Sequence, residues 1–538
     1  MKNSSLLAVL TVLNAAAALL STPPCVYAAS PYSTGVPAAN PRVDLVPQPN
    51  VLSPGLDLVP LATGTDPLEN PSGVITHFGY LNDFPPQTVE ATKTEPDENT
   101  YLVLDHNPGG PTPGYDYGRH FLFQGHELFS GNLAYVTRIN LDVIDPDHRI
   151  TLLTPVGLDG LTHLTSLDGS TWNPHTQTLL FTQEAGANGG VVEITPDWPP
   201  VIRTLDGSLG KAGYEGIHPD NQGNLLICED SGGTSVNIDP ADPTSPKAGR
   251  NPNSFVFRFV PKNPGDLSLG KLQALRVSIH EAVTFVPVDA ANPTGDVFSQ
   301  NQLSLHTLGT AWRVRWVTVH DTEVDGTAPF NANTAAKAAG ATPFKRPENA
   351  VFQPNSDFKV FYFTATGDTD ARAGNTPSLA ARGAWGSIFQ VDFRFAGASG
   401  VGLISIAVLG DGTHAAFDNL MFLNQTTLIV GEDRGDKLHG QLNALDSIWA
   451  FDLFHGTDAR ILAEGRDAAA TVDAHLLDAS TPGFQNEGDN ETTGLHSSNG
   501  DSTVAGLHGT ANPGDAARFF FTQQHGNNTV FEIVGRRR

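Results

Sequence analysis

One phrase recurs along this chain and limits the folds that the chain can adopt. Each copy contains an acidic residue, a short apolar run, a polar turn and a second apolar run, which usually ends in another acid. The copies begin at Leu167, Tyr214, Arg346 and Phe417, and a looser copy begins at Asn490. Short apolar runs rich in β-branched and aromatic residues, separated by Gly, Pro, Asn and Asp, are typical of β-strands. The sequence therefore predicts an all-β fold.

The repetition of a strand pair favours a β-propeller, in which each blade is one sheet and the blades surround a central axis. In that geometry the start of each innermost strand faces the central channel, so the repeated acids would meet there. The copies are unevenly spaced, and the helix-like stretch from Asn333 to Gly340 has the character of an insertion. We expect a single six-bladed propeller with loop insertions. A two-sheet sandwich is the alternative, and it would not bring the acids together.

The N-terminus has the features of a secretory signal peptide over residues 1–29. Lys2 precedes an apolar run from Leu6 to Leu20, and the small residues Ala28 and Ala29 follow. The alternative is a membrane anchor, but the run is shorter than the roughly 20 residues that span a bilayer. We predict a secreted protein, extracellular or periplasmic, without a membrane span. Residues 30–75, rich in Pro and Ser, are predicted to form an extended arm, and residues 76–538 the propeller domain.

Cysteine content and charge exclude several classes of protein. After removal of the signal peptide only Cys228 remains, which excludes an internal disulfide and a zinc site built from cysteines. Cys228 lies in an apolar run, so we interpret it as a core residue. The 31 basic against 57 acidic residues disfavour binding to nucleic acid and suit calcium, which prefers oxygen ligands. We expect a monomer.

Acids at equivalent points of the repeated phrase are the candidate metal ligands. They are Asp168, Glu184, Glu215, Glu229, Glu348, Asp418 and Glu432, with Glu491 as a further candidate. Carboxylates that converge on one channel repel one another and take up protons unless cations bind. Oxygen-only ligands suit calcium, magnesium, manganese or ferric iron. For any single acid the alternative is a turn cap, but the recurrence favours a shared metal site.

Arg346 lies two residues before Glu348, and a planar guanidinium is suited to a bidentate oxyanion such as phosphate. The alternative is an arginine that bridges two acids. Lys345 and Arg434 are weaker candidates of the same kind. The histidines that we consider as ligands or acid–base groups are His218, His439, His496 and His525, although a single histidine is more often structural. The chain has no Gly-x-Ser-x-Gly, Walker or His-Glu-x-x-His motif, which argues against those hydrolase and nucleotide-binding classes.

Several of these phrases resemble the PhoX family of secreted bacterial alkaline phosphatases, from about residue 100 to the C-terminus. They are Arg346-Pro-Glu348 after Thr342-Pro-Phe, Tyr214-Glu-Gly, Phe417-Asp-Asn-Leu and Thr182-Gln-Glu184. The resemblance implies a propeller with central iron and calcium that hydrolyses small-molecule phosphate esters. It also implies metal binding by Glu184, Glu215 and Glu348, calcium binding by Asp418, and a catalytic role for Glu348 and for Arg346, which would bind phosphate.

The chain departs from the family pattern in two ways. The stretch Leu167–Trp172 lacks the iron-binding cysteine of the family, where Asp168 would substitute as an oxygen ligand, and no twin-arginine pair precedes the apolar run. We therefore expect a divergent member with calcium as cofactor, and iron is less favoured. The alternatives are a calcium-dependent lactonase or esterase, and a non-enzymatic calcium-stabilised propeller that binds a partner.

Overall fold

The computed structural model describes residues 31–37, 45–46, 50–80, 94–128, 132–467, 491–508, 517–524 and 527–536. The predicted signal peptide and His525 lie outside these ranges. Within them, no helix is both long enough and apolar enough to cross a bilayer.

The described residues form mostly β-strand. In chain order the strands are β1 Leu45–Val46, β2 Val51–Leu52, β3 Leu56–Ala62, β4 Glu95–Val103, β5 His120–Glu127, β6 Tyr135–Asn140, β7 Ile150–Leu152, β8 Leu167–Asn173, β9 Thr178–Gln183, β10 Gly190–Ile194, β11 Ile202–Thr204, β12 Tyr214–Pro219, β13 Leu225–Glu229, β14 Ser235–Asn237, β15 Lys247–Arg250, β16 Val256–Asn263, β17 Asp266–Ser278, β18 Trp312–Asp321, β19 Pro347–Phe352, β20 Val360–Ala365, β21 Ser387–Asp392, β22 Gly402–Leu409, β23 Phe417–Phe422, β24 Thr427–Glu432, β25 Ser447–Asp452, β26 Thr457–Ala463, β27 Arg466–Asp467, β28 Glu491–Ser498, β29 Arg518–Gln524 and β30 Thr529–Gly535.

The helices are short and lie between strands. They are α1 Pro146–Arg149, α2 Gln300–Leu305, α3 Thr322–Asp325, α4 Ala332–Ala338, α5 Ala371–Gly374, α6 Pro377–Ala380 and α7 Gly435–Leu442. Helix α4 overlaps the stretch from Asn333 to Gly340 that the sequence predicts to be a helix-like insertion. The side chain of Asn331 caps its N-terminus by accepting a hydrogen bond from the backbone N–H of Thr334.

Consecutive strands pair in antiparallel order. The resulting units are β4-β5-β6-β7, β8-β9-β10-β11, β12-β13-β16-β17, β19-β20-β21-β22, β23-β24-β25-β26 and β28-β29-β30. Strand β18 pairs with both β17 and β22 and joins the third and fourth units into one nine-stranded sheet. The first strands of the units contact one another in the cyclic order β4, β8, β12, β19, β23, β28 and back to β4. The first strands thus surround a common axis in a propeller-like arrangement, and the predicted all-β fold is confirmed.

Part of the predicted N-terminal arm lies in the sheets. Strand β3 pairs antiparallel with β30, from Leu56 opposite Gly535 to Ala62 opposite Val530, and completes the last unit. Strand β2 pairs with the edge of β26. Leu56, Leu61 and Ala62 are buried at the two ends of β3, whereas Val59 and Pro60 in its middle are exposed. The described part of the arm therefore packs onto the propeller, and the boundary at residue 75 stays a prediction.

Apolar side chains fill the space between neighbouring units. Phe121, Leu179 and Phe181 belong to one cluster that joins the first two units. Cys228 is fully buried in another cluster, with Phe344 and Phe363. Burial raises the pKa of the Cys228 thiol well above its ordinary value, which disfavours the reactive thiolate. The interpretation of Cys228 as a core residue is confirmed.

Candidate metal centre

The first strand of most units contains a β-bulge close to its start, and the bulge places an acid toward the axis. In the second unit the pairing of β8 with β9 shifts between Leu167 and Ser170, directly around Asp168. A bulge leaves an extra residue unpaired and redirects the neighbouring side chain. The acids at the equivalent bulges are Asp97, Asp168, Glu215, Glu348 and Asp418. The repeated phrase of the sequence thus corresponds to a repeated backbone irregularity.

A second set of acids lies at or just past the end of the second strand of a unit, beside the bulge. The members of this set are Glu127, Glu184, Asp230 and Asp433. In the fourth unit Thr366 occupies the equivalent position, and its hydroxyl donates a hydrogen bond to Glu348. In the last unit Gln524 lies at the end of the second strand, and both Gln524 and Thr493 of β28 donate hydrogen bonds to the carboxylate of Asp97. Acidic or other polar side chains therefore face the axis in every one of these units.

Within the described residues, these acids form four groups of three whose carboxylate oxygens lie within 4.8 Å of one another. The groups are Asp97–Glu127–Asp168, Asp168–Glu184–Glu215, Glu215–Asp230–Glu348 and Asp418–Asp433–Glu491. Asp168 belongs to the first two groups and Glu215 to the second and third. The first three groups therefore form one row that is linked through shared carboxylates, and the fourth group shares no member with that row.

Burial and mutual repulsion raise the pKa values of the carboxylates in this row. Burial, followed by the charges of neighbouring carboxylates, raises the pKa of Asp168 and Glu215 well above the ordinary values. Burial raises the pKa of Asp97 to about 7 and that of Glu184 to about 8. Bound cations would reverse these shifts because they favour the ionised carboxylates. Buried groups of three carboxylates, without a nitrogen or sulfur donor, fit hard cations such as calcium, magnesium, manganese or ferric iron.

Most of the acids singled out in the sequence lie in these groups. Asp168, Glu184, Glu215, Glu348 and Asp418 are all members, and Glu491 lies in the fourth group with Asp418. Their convergence rests on the closed ring of first strands, which brings residues hundreds of positions apart to one axis.

Glu229 and Glu432 lie outside the groups that the described residues form. Glu229 accepts hydrogen bonds from Nδ2 of Asn333, at 2.8 Å, and from the backbone N–H of Phe255, at 3.1 Å. Glu432 accepts from the backbone N–H of Ala415 and from Nη2 of Arg434, both at 3.0 Å. Each of these glutamates therefore accepts hydrogen bonds from protein donors, although Oε2 of Glu432 accepts none from the described residues.

The residues that face the axis instead are the next ones along the chain, Asp230 and Asp433. Successive side chains of a strand point to opposite faces, so only one member of each Glu-Asp pair can reach the axis. Asp97 and Glu127 also belong to a group, although neither is among the acids that the repeated phrase singles out. The signal for Asp97 is a further copy of the phrase, Glu95-Pro-Asp-Glu-Asn-Thr, followed by the apolar run that begins at Phe121.

Arg346 contacts the third group directly. Its Nε donates to Oδ2 of Asp230 at 2.7 Å, and its Nη2 lies 2.6 Å from the same oxygen and 3.6 Å from Oε1 of Glu348. Nη1 donates to no described residue. Burial lowers the pKa of the Arg346 guanidinium, but Asp230 and Glu348 raise it by more, and the net pKa lies well above the ordinary value.

The backbone at Arg346 is also unusual, with φ of 55°. A non-glycine residue in this left-handed region carries strain of roughly 1 kcal/mol or more, which the surrounding contacts must offset. Strain of this kind often accompanies functional sites. The Arg346 side chain is thus held beside the carboxylate row by both its ion pair and its backbone conformation.

Comparisons with known proteins bear on the fold and on the family. The family model of alkaline phosphatase PhoX matches residues 247–505, which contain Arg346, Glu348, Asp418 and Glu491. The structure is similar to Pseudomonas fluorescens PhoX in complex with vanadate, a transition state analogue, with a TM-score of 0.53 and 12% identity over 94% of this chain and 98% of that chain. Residues 247–505 of the chain thus match the PhoX family.

Other similarities are weaker. An oligogalacturonate lyase in complex with manganese matches at 10% identity and a TM-score of 0.33, covering 89% of this chain and 98% of that chain. TolB from Acinetobacter baumannii matches at 8% identity and a TM-score of 0.29, covering 81% of this chain and 63% of that chain. None of the curated proteins compared with the chain matches it.

In the stretch Leu167–Trp172, where the resemblance to the PhoX family implies a cysteine, Asp168 is the candidate oxygen ligand. This aspartate is shared by two of the carboxylate groups and is buried. Among the described residues, no thiol takes part in a group, because Cys228 is enclosed in the apolar core. The donors available to a cation in these groups are therefore all oxygens.

The remaining cationic candidates lie outside the four groups and are held in buried ion pairs. Nζ of Lys345 lies 2.8 Å from Oδ1 of Asp368, and both side chains are buried. Arg434 donates from Nη2 to the backbone carbonyl of Thr413, at 2.7 Å, as well as to Glu432. Each cation thus already has an acidic partner, which favours a structural role.

The described histidine candidates do not enter the groups either. Nε2 of His439 lies 3.1 Å from Oδ1 of Asp446, and both residues are buried. Nε2 of His218 contacts Oδ1 of Asn349 at 3.2 Å. Burial lowers the pKa of His218 to about 4 and that of His496 to about 3, so both are neutral at physiological pH. His218 and His496 line a cavity of about 170 Å³ together with Trp172.

Proposed function

We propose that this chain is a secreted, metal-dependent phosphoric monoester hydrolase. The observation that carries the proposal is the row of buried carboxylate groups with the guanidinium of Arg346 at one end of it. Concentrated negative charge alone repels a phosphate ester, whereas cations held by that charge attract it. The combination of many acids with one fixed arginine therefore suits an anionic substrate only when metal ions are bound.

The proposed ligands are the members of the four groups. The first three groups, which share Asp168 and Glu215, would hold ions close enough to act on one substrate, and Asp418, Asp433 and Glu491 would hold a separate ion. When bound, the ions would neutralise the carboxylates, polarise the phosphoryl oxygens and make a bound water more acidic. We propose calcium among them, since three or more carboxylate oxygens and no softer donor suit it. Iron stays less favoured because the site offers no thiolate.

Arg346 would bind the phosphoryl group. Its Nη1 is available for an oxyanion while Nε and Nη2 stay on Asp230, so the guanidinium is oriented before the substrate arrives. The charge that develops on the phosphoryl oxygens during hydrolysis would be stabilised by this preorganised donor. Thr366 would fix the orientation of Glu348 through its hydrogen bond.

The proposal also covers the number of blades, the cellular location and the oligomeric state. We propose that the six strand units are the six blades of one propeller, supported by the cyclic contacts between their first strands. Strand β3 would close the propeller because it completes the unit that contains β30. We further propose that the chain acts outside the cytoplasm as a monomer, on small-molecule phosphate esters.

The test is hydrolysis of p-nitrophenyl phosphate by the purified mature chain, together with elemental analysis of its metals. We expect Arg346→Ala and Glu348→Gln to lose at least about 100-fold in kcat/KM, as found when a preorganised charge-stabilising donor is removed. Glu193→Gln is the matched control, because Glu193 is also buried and also bonded to an arginine, Arg203, but lies on β10 away from the axis.

Full activity in either the Arg346 or the Glu348 variant would refute the site assignment. Bound metal without any phosphatase activity in the wild type would refute the phosphatase proposal and leave the calcium-stabilised binding module. Hydrolysis of lactones or carboxylic esters in place of phosphate esters would favour the esterase alternative.

A further inference from the structure

A cavity of about 550 Å³ opens between the third and fourth strand units, and none of the carboxylate-group residues lines it. Its wall is rich in aromatic side chains and also contains three cations. The aromatic residues are Trp316, Phe352, Phe358, Phe361 and Phe393, and the cations are Arg258, Arg315 and Lys359. Such a concentration of cations is unexpected in a chain with a net charge of −26.

Arg258 is the central feature of this cavity. Its Nε and Nη2 both donate to one oxygen, Oε1 of Gln273, at 3.2 and 2.6 Å. Its Cζ lies 4.8 Å from the centre of the Trp316 ring. No described residue forms an ion pair with Arg258, and Nη1 donates to none of them. The guanidinium is thus partly buried with a single neutral amide as its hydrogen-bonding partner.

The acids in the cavity wall are engaged elsewhere. Oδ1 of Asp220 accepts from the backbone N–H groups of Gln222 and Asn224, at 2.8 and 2.9 Å, and Oδ2 accepts from Nδ2 of Asn224 at 2.7 Å. Asp357 forms an ion pair of 2.6 Å with Lys359 at the exposed rim. Neither carboxylate neutralises Arg258 by direct contact.

A buried cation without a counter-ion is unfavourable, because its lost hydration is not replaced by an opposite charge. Burial lowers the pKa of Arg258 to about 10, although the charge of Asp220 acts in the opposite direction, so the guanidinium stays charged at neutral pH. An anion that enters the cavity would compensate this charge. The aromatic wall favours an anion that also carries a planar apolar part.

We propose that this cavity binds a small organic anion that carries an aromatic ring. The oxyanion pairs with the free edge of the Arg258 guanidinium, and the ring packs against Trp316, Phe361 and Phe393. Arg315, which is exposed and forms no ion pair with a described residue, adds positive charge at the mouth. This site is separate from the carboxylate row and does not depend on the proposed phosphatase activity.

The test uses 1-naphthalenesulfonate as the probe, titrated into the full metal-loaded chain by calorimetry. Its sulfonate is neither a phosphatase substrate nor a strong metal ligand, and its ring fits the aromatic wall. We expect it to bind at least about tenfold more tightly than 1-naphthol, which lacks the charge, and than methanesulfonate, which lacks the ring. Equal affinity for naphthol would overturn the proposal, since it would leave only apolar binding.

Variants locate the bound probe. Arg258→Gln and Trp316→Leu should each weaken binding of the probe at least about tenfold, while Glu348→Gln should leave it unchanged. Arg394→Gln is the matched control, because Arg394 is an exposed arginine near the cavity that is paired with Asp392 at 2.7 Å. Loss of binding in Glu348→Gln would place the probe at the carboxylate row and refute the inference.

Folding of the variants is checked by thermal melting. If Arg258→Gln does not fold, the exposed pair Arg315→Gln and Lys359→Gln still tests the site, and we expect the double variant to weaken binding at least about threefold. Unchanged binding in every cavity variant that folds would overturn the proposal.

Discussion

The metal-free protein should lose stability as the pH rises from 4 to 8, which is the reverse of the usual acid denaturation. Asp97 shows the reason, because burial raises its pKa to about 7 in the folded chain. In the unfolded chain an aspartate titrates near its ordinary value of 3.8. The folded state therefore binds more protons than the unfolded state between these values, and unfolding becomes more favourable with rising pH.

The magnitude follows from the size of the shift. Each pKa unit corresponds to about 1.4 kcal/mol, so ionisation of the buried Asp97 alone removes about 4 kcal/mol of unfolding free energy by pH 8. Burial also raises the pKa of Asp168, Glu215 and Asp418, and these groups act in the same direction. Since domains are stable by only about 5–15 kcal/mol, the metal-free protein should be barely folded at pH 8.

The assay is denaturant unfolding of chelator-treated protein at constant ionic strength from pH 4 to pH 8, with and without added calcium. We expect stability to fall across this window without calcium and to recover at pH 8 when calcium is restored, because metal binds the folded state only. Asp97→Asn should reduce the pH dependence without abolishing it, since the amide does not ionise whereas Asp168, Glu215 and Asp418 still do. Metal-free protein that is as stable at pH 8 as at pH 5 would refute the reasoning.

Three further substitutions test individual contacts. Asp230→Asn should lower phosphatase kcat/KM by at least about tenfold, because Arg346 loses its charged anchor, and unchanged kinetics would show that the anchor is not needed. Glu432→Gln should cost about 1–3 kcal/mol in denaturant unfolding, because Arg434 loses its charged partner, yet it should keep the full metal content measured by elemental analysis. Cys228→Ser should cost about 1–3 kcal/mol through burial of a hydroxyl, with activity retained in a p-nitrophenyl phosphate assay. Loss of bound metal in either of the last two variants would contradict the placement of those residues outside the metal groups.

The sequence was most informative where a local pattern carries the structure. The alternation of apolar runs and turns predicts the strands, and the repeated phrase locates Asp168, Glu215, Glu348 and Asp418 at one point of successive units. These predictions succeed because strand formation and repetition both depend on residues close together in the chain.

The sequence was less informative where a shift of one residue along a strand decides which side chain faces the axis. Glu229 and Asp230 are adjacent and chemically alike; the sequence pattern favoured Glu229, whereas the structure places Asp230 in a carboxylate group. Which one faces the axis depends on the register with β12 and on the bulge there, and a shift of one residue reverses every side chain. The sequence also did not predict strand β3, because its partner β30 lies at the opposite end of the chain.

The sequence by itself thus determined the all-β character, the acidic repeat that marks the axis and the low cysteine content, with 2 Cys in the full sequence. The tertiary structure alone decided which carboxylates meet, that Asp168 and Glu215 are each shared by two groups, and that Asp230 holds Arg346. The physical reason is that a metal or phosphate site depends on distances of a few ångströms between residues far apart in sequence. Those distances are set by closure of the ring of strands, which no local pattern encodes.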